Sequence, residues 1–127
     1  MADPEPIDAV VLVADDDDLV RSVLGMALRS LGLTVVEAAD ARQVREIARS
    51  APLDLVVLDI NMPGGTVHDT LGSLREEQPA LPVLVLSGEL SPPADLHTVA
   101  NDFAHKPIEL PDFLSRVTRL LRQNQPG

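Results

Sequence analysis

Along this chain, short runs of consecutive apolar residues alternate with stretches whose apolar residues recur every three or four positions. The runs are Ala9 to Ala14 (AVVLVA), Leu55 to Leu58 (LVVL) and Val83 to Leu86 (VLVL). They are four to six residues long and rich in valine, as expected of strands covered on both faces. Leu33 to Ala38 (LTVVEA) predicts a fourth strand, and Asp102 to His105 (DFAH) a shorter fifth.

Between these runs the period changes to that of a helix. Leu19, Val20, Val23, Leu24, Ala27, Leu28 and Leu31 mark one helix face, and Gly32 stands where a helix stop belongs. Leu110, Phe113, Leu114, Val117, Leu120 and Leu121 repeat the pattern, with Arg116, Arg119 and Arg122 on the opposite face. Two further helices are predicted over Ala41 to Ser50 and Val67 to Gln78, the second ended by Pro79 and Pro82. After Pro92 and Pro93 only Ala94 to Ala100 remain, so the fourth helix in chain order is expected to be short or distorted.

A strand followed by a helix, five times over, predicts an α/β fold: a doubly wound, five-stranded parallel sheet with right-handed crossovers and five helices on its two faces. Ligands of such open sheets bind beyond the carboxyl ends of the strands, where the strand order reverses. The residues that end each strand are therefore the candidates for chemistry.

Composition narrows the function. The 127 residues suit one domain spanning 1–127, with an ordered core of about 8–122 between polar ends. Forty-five per cent of the residues are hydrophobic, too many for a disordered acidic tail. The net charge is −10, and there are two Phe, no Tyr and no Trp, which argues against nucleic-acid binding by these residues: phosphate neutralisation needs basic side chains and base stacking needs rings. There is no cysteine for a disulfide, a thiolate metal site or a thiol nucleophile. Neither a leader-like segment nor a membrane-length apolar run is present, so the expected location is the cytoplasm, away from the membrane.

Within that charge, four aspartates are consecutive, Asp15 to Asp18, and nine of the ten basic residues are Arg, leaving Lys106 as the sole lysine. Asp15 and Asp16 follow the first strand, Asp59 the third, Ser87 the fourth and Lys106 the fifth. Singly, each has a plain explanation: an aspartate run as a solvated turn or helix cap, Asp59 capping the turn Met62-Pro63-Gly64-Gly65, Ser87-Gly88 as a turn pair. Together they put three carboxylates, a hydroxyl and the only ammonium on one sheet edge. Asp17 or Asp18 suits the N-cap of the helix that follows.

At these residues the chain resembles the receiver domain of two-component response regulators. The resemblance is carried by VLVADDDDLVR, LDLVVLDINMPGG, LPVLVLSG and NDFAHKPIEL and runs from about Ala9 to Leu121. It implies strand order 2-1-3-4-5, an order for which the chemotaxis receiver is a standard example. By resemblance Asp59 is the phosphoacceptor, Asp15 and Asp16 with Asp59 hold Mg²⁺ (or Mn²⁺ in its place), and the backbone carbonyl of Asn61 is a further ligand. Ser87 and Lys106 contact the phosphoryl group, Phe103 with Ser87 forms the switch, Asn61 and Glu89 modulate hydrolysis, and the Lys106-Pro107 peptide is cis. The implied partners are a histidine kinase or histidine phosphotransfer protein and a downstream protein, with the chain a monomer or a weak phosphorylation-dependent dimer.

Elementary chemistry agrees with that set. Mg²⁺ prefers hard oxygen ligands and commonly takes one or two carboxylates beside a phosphate oxygen. Three carboxylates, one divalent cation and Lys106 sum to zero charge. Without the cation, an arriving phosphoryl group meets like charges costing about 4 kcal/mol per pair at 4 Å and an effective dielectric of 20.

The chain departs from the family pattern in places. NMPGGTVHD is a contracted form of the loop after the phosphoacceptor, the stretch from Ser87 to Lys106 is short, and Phe103 replaces the commoner Tyr, leaving a steric switch without a hydroxyl. His68, His97 and His105 have no metal-ligand pairing, and no EF-hand or phosphate-cradling glycine loop is present. The expectation is a phosphoacceptor switch rather than a turnover enzyme, with no output domain after Gly127. The alternatives are a receiver of a hybrid kinase or phosphorelay acting as a phosphate sink, a partner-binding receiver that is never phosphorylated, and a Mg²⁺-dependent hydrolase of haloacid-dehalogenase type. That hydrolase needs an acid two residues after its nucleophile, where this chain has Asn61.

Overall fold

The computed structural model of the chain describes residues 8–88 and 100–123. In chain order the elements are β1 (Val10–Ala14), α1 (Asp18–Arg29), β2 (Thr34–Ala38), α2 (Ala41–Ser50), β3 (Leu55–Asp59), α3 (Val67–Glu77), β4 (Val83–Ser87), β5 (Asp102–His105) and α4 (Leu110–Gln123). The five strands form one parallel sheet in the order β2-β1-β3-β4-β5, as expected. The expected short helix over 94–100, together with Glu89 and His97, lies outside the described residues but for Ala100, which is not helical. Four helices are seen among the described residues.

Both sheet faces are dry, which explains the unbroken apolar runs. On one face Val11, Val13, Leu55, Val57, Leu84 and Leu86 pack with Leu24 and Leu28 of α1 and Phe113 and Val117 of α4. On the other, Leu12, Val56, Leu58, Val83 and Val85 pack with Val44 of α2 and Leu71 and Leu74 of α3. Every residue of β3 and β4 is buried. Each large side chain so enclosed contributes about 1.5–3 kcal/mol relative to exposure.

Local signals start and stop the helices. Asp17 caps α1, its carboxylate accepting from the Leu19 and Val20 amides; Asp40 caps α2 through the Gln43 amide; Thr66 caps α3 through the Asp69 amide. Gly32 takes φ +85° just after α1, a conformation costly for any residue with a Cβ.

The contracted loop after Asp59 is held against α2. The Ala41 amide donates to the Pro63 carbonyl at 3.0 Å, and Arg45 reaches the Gly64 carbonyl at 3.4 Å. Gly64 has φ +93°, and a Cβ there would stand 3.4 Å from the Ala41 nitrogen. The short loop thus closes on its neighbour while Asp59 keeps its place as the last residue of β3.

Candidate functional site

Strand register brings the candidates to the carboxyl edge of the sheet. Ala14 pairs with both Ala38 and Leu58, so Asp15 leaves β1 beside the end of β3. Asp59 pairs with Leu86 and Ser87 with His105, and the Lys106 amide donates to the Ser87 carbonyl at 2.8 Å. Two strand ends once expected to stop one residue earlier, at Leu58 and Leu86, run on to include Asp59 and Ser87.

Three carboxylates and one ammonium meet there. The oxygens of Asp15, Asp16 and Asp59 lie within 4.8 Å of one another. Asp15 and Asp59 are 1% and 5% exposed, while Asp16 is open to solvent. The Lys106 ammonium donates to Asp15 Oδ2 at 2.7 Å and lies 3.4 Å from Asp59 Oδ2. Backbone donors take the other oxygens: the Asp17 amide reaches Asp15 Oδ1 at 2.9 Å, and the Asn61 amide reaches Asp59 Oδ1 at 3.2 Å.

Charge is left over. Burial holds the Asp59 carboxyl above the usual carboxylate range; the Asn61 amide opposes that, the Asp15 charge adds to it, and Lys106 opposes it again. For Lys106, burial alone would favour the neutral amine, but its bond to Asp15 and the charges of Asp59 and Asp15 outweigh this and raise it above its ordinary value. Three carboxylates against one ammonium leave a net −2 in a partly desolvated place. The donor set, all hard oxygen, fits Mg²⁺ better than a softer metal.

The remaining candidates occupy their positions around this centre. Ser87 is 1% exposed, two residues beyond Val85, on the sheet face against which Phe103 packs. Phe103 is half-buried on β5, paired with Val85. The Lys106-Pro107 peptide is cis. Asn61 follows Asp59 on the exposed loop. Alongside runs an apolar groove of about 460 Å³ between α1 and the segment entering α4, lined by Leu19, Val23, Leu24, Ile108 and Leu110 and bordered by Lys106.

The model of the response regulator receiver domain family matches residues 11–118. The chain belongs to that family. Among curated proteins, the probable transcriptional regulatory protein TcrX of Mycobacterium tuberculosis is 34% identical over 125 residues, covering 96% of this chain and 53% of TcrX. The receiver thus spans about half the length of the curated relatives it matches. Among solved structures, the receiver domain of the hybrid histidine kinase CckA is 32% identical with TM-score 0.76, covering 88% of this chain and 98% of that one. The receiver domain of the sensor histidine kinase PA1611 of Pseudomonas aeruginosa, solved with a magnesium ion in its active-site cleft, has the same fold at TM-score 0.83 and 21% identity, covering 91% and 99%.

One residue of the receiver's site had no place in the sequence reading. Arg21 on α1 donates to the backbone carbonyl of Asp15 at 2.7 Å and also pairs with Asp18 and Glu37. Its spacing of three from Asp18 was a visible helix-pair signal. Its reach to Asp15 and to β2 depends on how α1 lies over the sheet.

Proposed function

We propose that this receiver is a phosphoacceptor switch in which Asp59 takes a phosphoryl group from a phosphohistidine of a partner protein. The observation that carries this reading is the charge imbalance at the sheet edge: a buried Asp59 and Asp15, joined by Asp16, against Lys106 as the one cation ion-paired with them among the described residues. Such a cluster asks for a cation. Asp15, Asp16 and Asp59, with the Asn61 carbonyl, would hold Mg²⁺, which when bound neutralises the carboxylates and the incoming phosphoryl oxygens. The magnesium described for the PA1611 receiver supports the same assignment here.

The chain's own residues then do the following. An Asp59 carboxylate oxygen attacks phosphorus in line; the new O–P bond forms as the P–N bond to imidazole breaks, and the departing nitrogen keeps the electron pair. The Lys106 ammonium, already 3.4 Å from Asp59, stays to pair with a phosphoryl oxygen, and the Ser87 hydroxyl donates to another. The modification replaces a charge of −1 by about −2 and adds acceptor oxygens. Movement of Ser87 towards them frees space on the face where Phe103 packs, linking the site to the surface of β5. Lys106→Ala is therefore expected to abolish the phosphorylation-dependent change in partner binding; full retention of that change would contradict the role given to the lysine.

Exposed apolar residues beside the site suit a protein donor. Leu19 is 72% exposed and Leu110 38%, and both line the groove that Lys106 borders. A histidine kinase or phosphotransfer protein is the donor in this reading. The likeness to a hybrid-kinase receiver also supports a relay or phosphate-sink role, and the family match favours either over a haloacid-dehalogenase-type hydrolase. Since TcrX is named for transcriptional regulation and is nearly twice as long, the composition-based exclusion of nucleic acid extends to these 127 residues alone. No helix among the described residues is long and apolar enough to cross a membrane, and a cytoplasmic location is part of the proposal.

The test is direct. Incubation with Mg²⁺ and acetyl phosphate, followed by intact-mass measurement, should show one phosphoryl adduct in the wild type and none in Asp59→Asn. An undiminished adduct in that variant, or no adduct in the wild type, overturns the reading.

A further inference from the structure

Arg21 touches none of the reacting groups, yet its guanidinium ends on three separate segments. Nη1 donates to the Asp15 carbonyl at 2.7 Å, Nη2 to the Asp18 carboxylate at 2.5 Å, and Nε to Glu37 of β2 at 3.2 Å. The side chain is 16% exposed, unusually enclosed for an arginine on the first helix of an open sheet. Glu37 is in turn held by Arg29 at 3.3 Å.

The carbonyl that Arg21 grips belongs to the peptide joining Asp15 to Asp16. Asp15 has other anchors: its amide donates to the Ala38 carbonyl at 3.1 Å, and both carboxylate oxygens accept hydrogen bonds. Among the described residues Asp16 has none of these. Its carboxylate is exposed and accepts no hydrogen bond among the described residues, so its convergence with Asp15 and Asp59 depends on the orientation of its backbone. Arg21 holds the peptide plane that sets that orientation, while its other nitrogens brace the guanidinium between α1 and β2.

We infer that Arg21 is a positioning residue for the divalent cation, orienting the Asp15-Asp16 peptide so that the Asp16 carboxylate faces those of Asp15 and Asp59. This rests on the Mg²⁺ site proposed above. A lysine keeps the charge but is a point donor on a flexible stem, unable to present a planar fork to a carbonyl and two carboxylates together. Outer contacts that orient metal ligands are typically worth 10- to 100-fold in affinity.

The sign of the effect separates positioning from charge. If Arg21 acted only as a positive charge, its removal would leave Asp18 without its partner and Glu37 with Arg29 alone, making the region more negative and tightening Mg²⁺ binding. If it positions Asp16, removal weakens binding. Mg²⁺ titrations of the full chain, read from the amide NMR shifts of Asp17 and Asn61, should show about tenfold weaker binding for Arg21→Ala and an intermediate loss, about threefold, for Arg21→Lys. Arg29→Ala, which removes the other Glu37 partner without touching the Asp15 carbonyl, should stay within about twofold of wild type. The thermal midpoint of each metal-free variant is measured beside it, and Arg21→Lys carries the test should Arg21→Ala not fold. Wild-type binding with unchanged or tighter binding in both Arg21 variants, or an equal loss in Arg29→Ala, overturns this inference alone. No Mg²⁺ binding in the wild type overturns the site itself and the inference with it.

Discussion

Two clusters of aspartates and cations lie at opposite ends of β5, and they are balanced differently. At its start, Asp102 takes both oxygens to Arg116 at 3.0 Å and a further bond from Arg119 at 2.9 Å, while Arg116 also holds Asp112 at 3.0 Å. Two carboxylates meet two guanidiniums there, and the charges cancel within the protein. Just past its end, Lys106 is the one cationic side chain among the described residues that pairs with the carboxylates of the Asp15, Asp16 and Asp59 cluster, through Asp15 and Asp59. Similar residue types therefore do different work: the first cluster fastens α4 to the sheet, and the second keeps an excess of negative charge that suits a divalent cation.

The largest expected effect comes from enlarging that excess. Lys106→Ala leaves two buried carboxylates without a counter-charge and should cost about 2 kcal/mol of unfolding free energy in metal-free buffer, less than a fully buried pair because Lys106 is 24% exposed. Urea melts with millimolar Mg²⁺ should recover much of the loss. An equal loss with and without Mg²⁺ would show that the cation does not take over the counter-charge role of Lys106.

The second cluster is also bordered by exposed apolar residues. Leu19→Glu should slow transfer from a phosphohistidine protein by about tenfold, or 1.4 kcal/mol, and leave labelling by acetyl phosphate unchanged. Equal slowing with both donors would mean that the substitution disturbs the site itself rather than docking.

Relieving the excess should stabilise the fold. Burial raises the Asp59 pKa in the folded chain, so the ionised carboxylate is a penalty present above that folded value and absent below the ordinary carboxylate range. Asp59→Asn should raise the thermal midpoint of the metal-free protein at neutral pH by on the order of 3 °C, with the gap closing as pH falls. A gap that widened on acidification would reverse the assigned shift. The smallest effect belongs to the balanced cluster: Arg119, 56% exposed, should cost under about 0.5 kcal/mol on replacement by Ala and leave Mg²⁺ affinity unaltered.

Much of this was legible in the chain itself. The α2 and β5 boundaries follow directly from periodicity and turn residues, and Asp17 and Asp18 serve the helix start, as expected of the last two of the four aspartates; of the first two, Asp15 is buried and Asp16 exposed. Arg116 and Arg119 were read only as the polar face of the last helix, with no hint that Asp102 would engage both. Arg21 closes the segment VLVADDDDLVR but was given no role of its own. Each of these contacts joins elements that local patterning describes separately.

What the sequence determined by itself is therefore local: which segments alternate between strand and helix, where caps stop them, and which residue types stand at strand ends. Those follow from side-chain period and backbone preference over a few neighbouring residues. Only the tertiary structure decided which aspartates are buried, which oxygen the lysine takes and what aims Asp16, because these depend on strand order and register. Lys106 and Asp15 are 91 residues apart in the chain and 2.7 Å apart in space, a closeness set by the packing of β1, β3, β4 and β5 side by side.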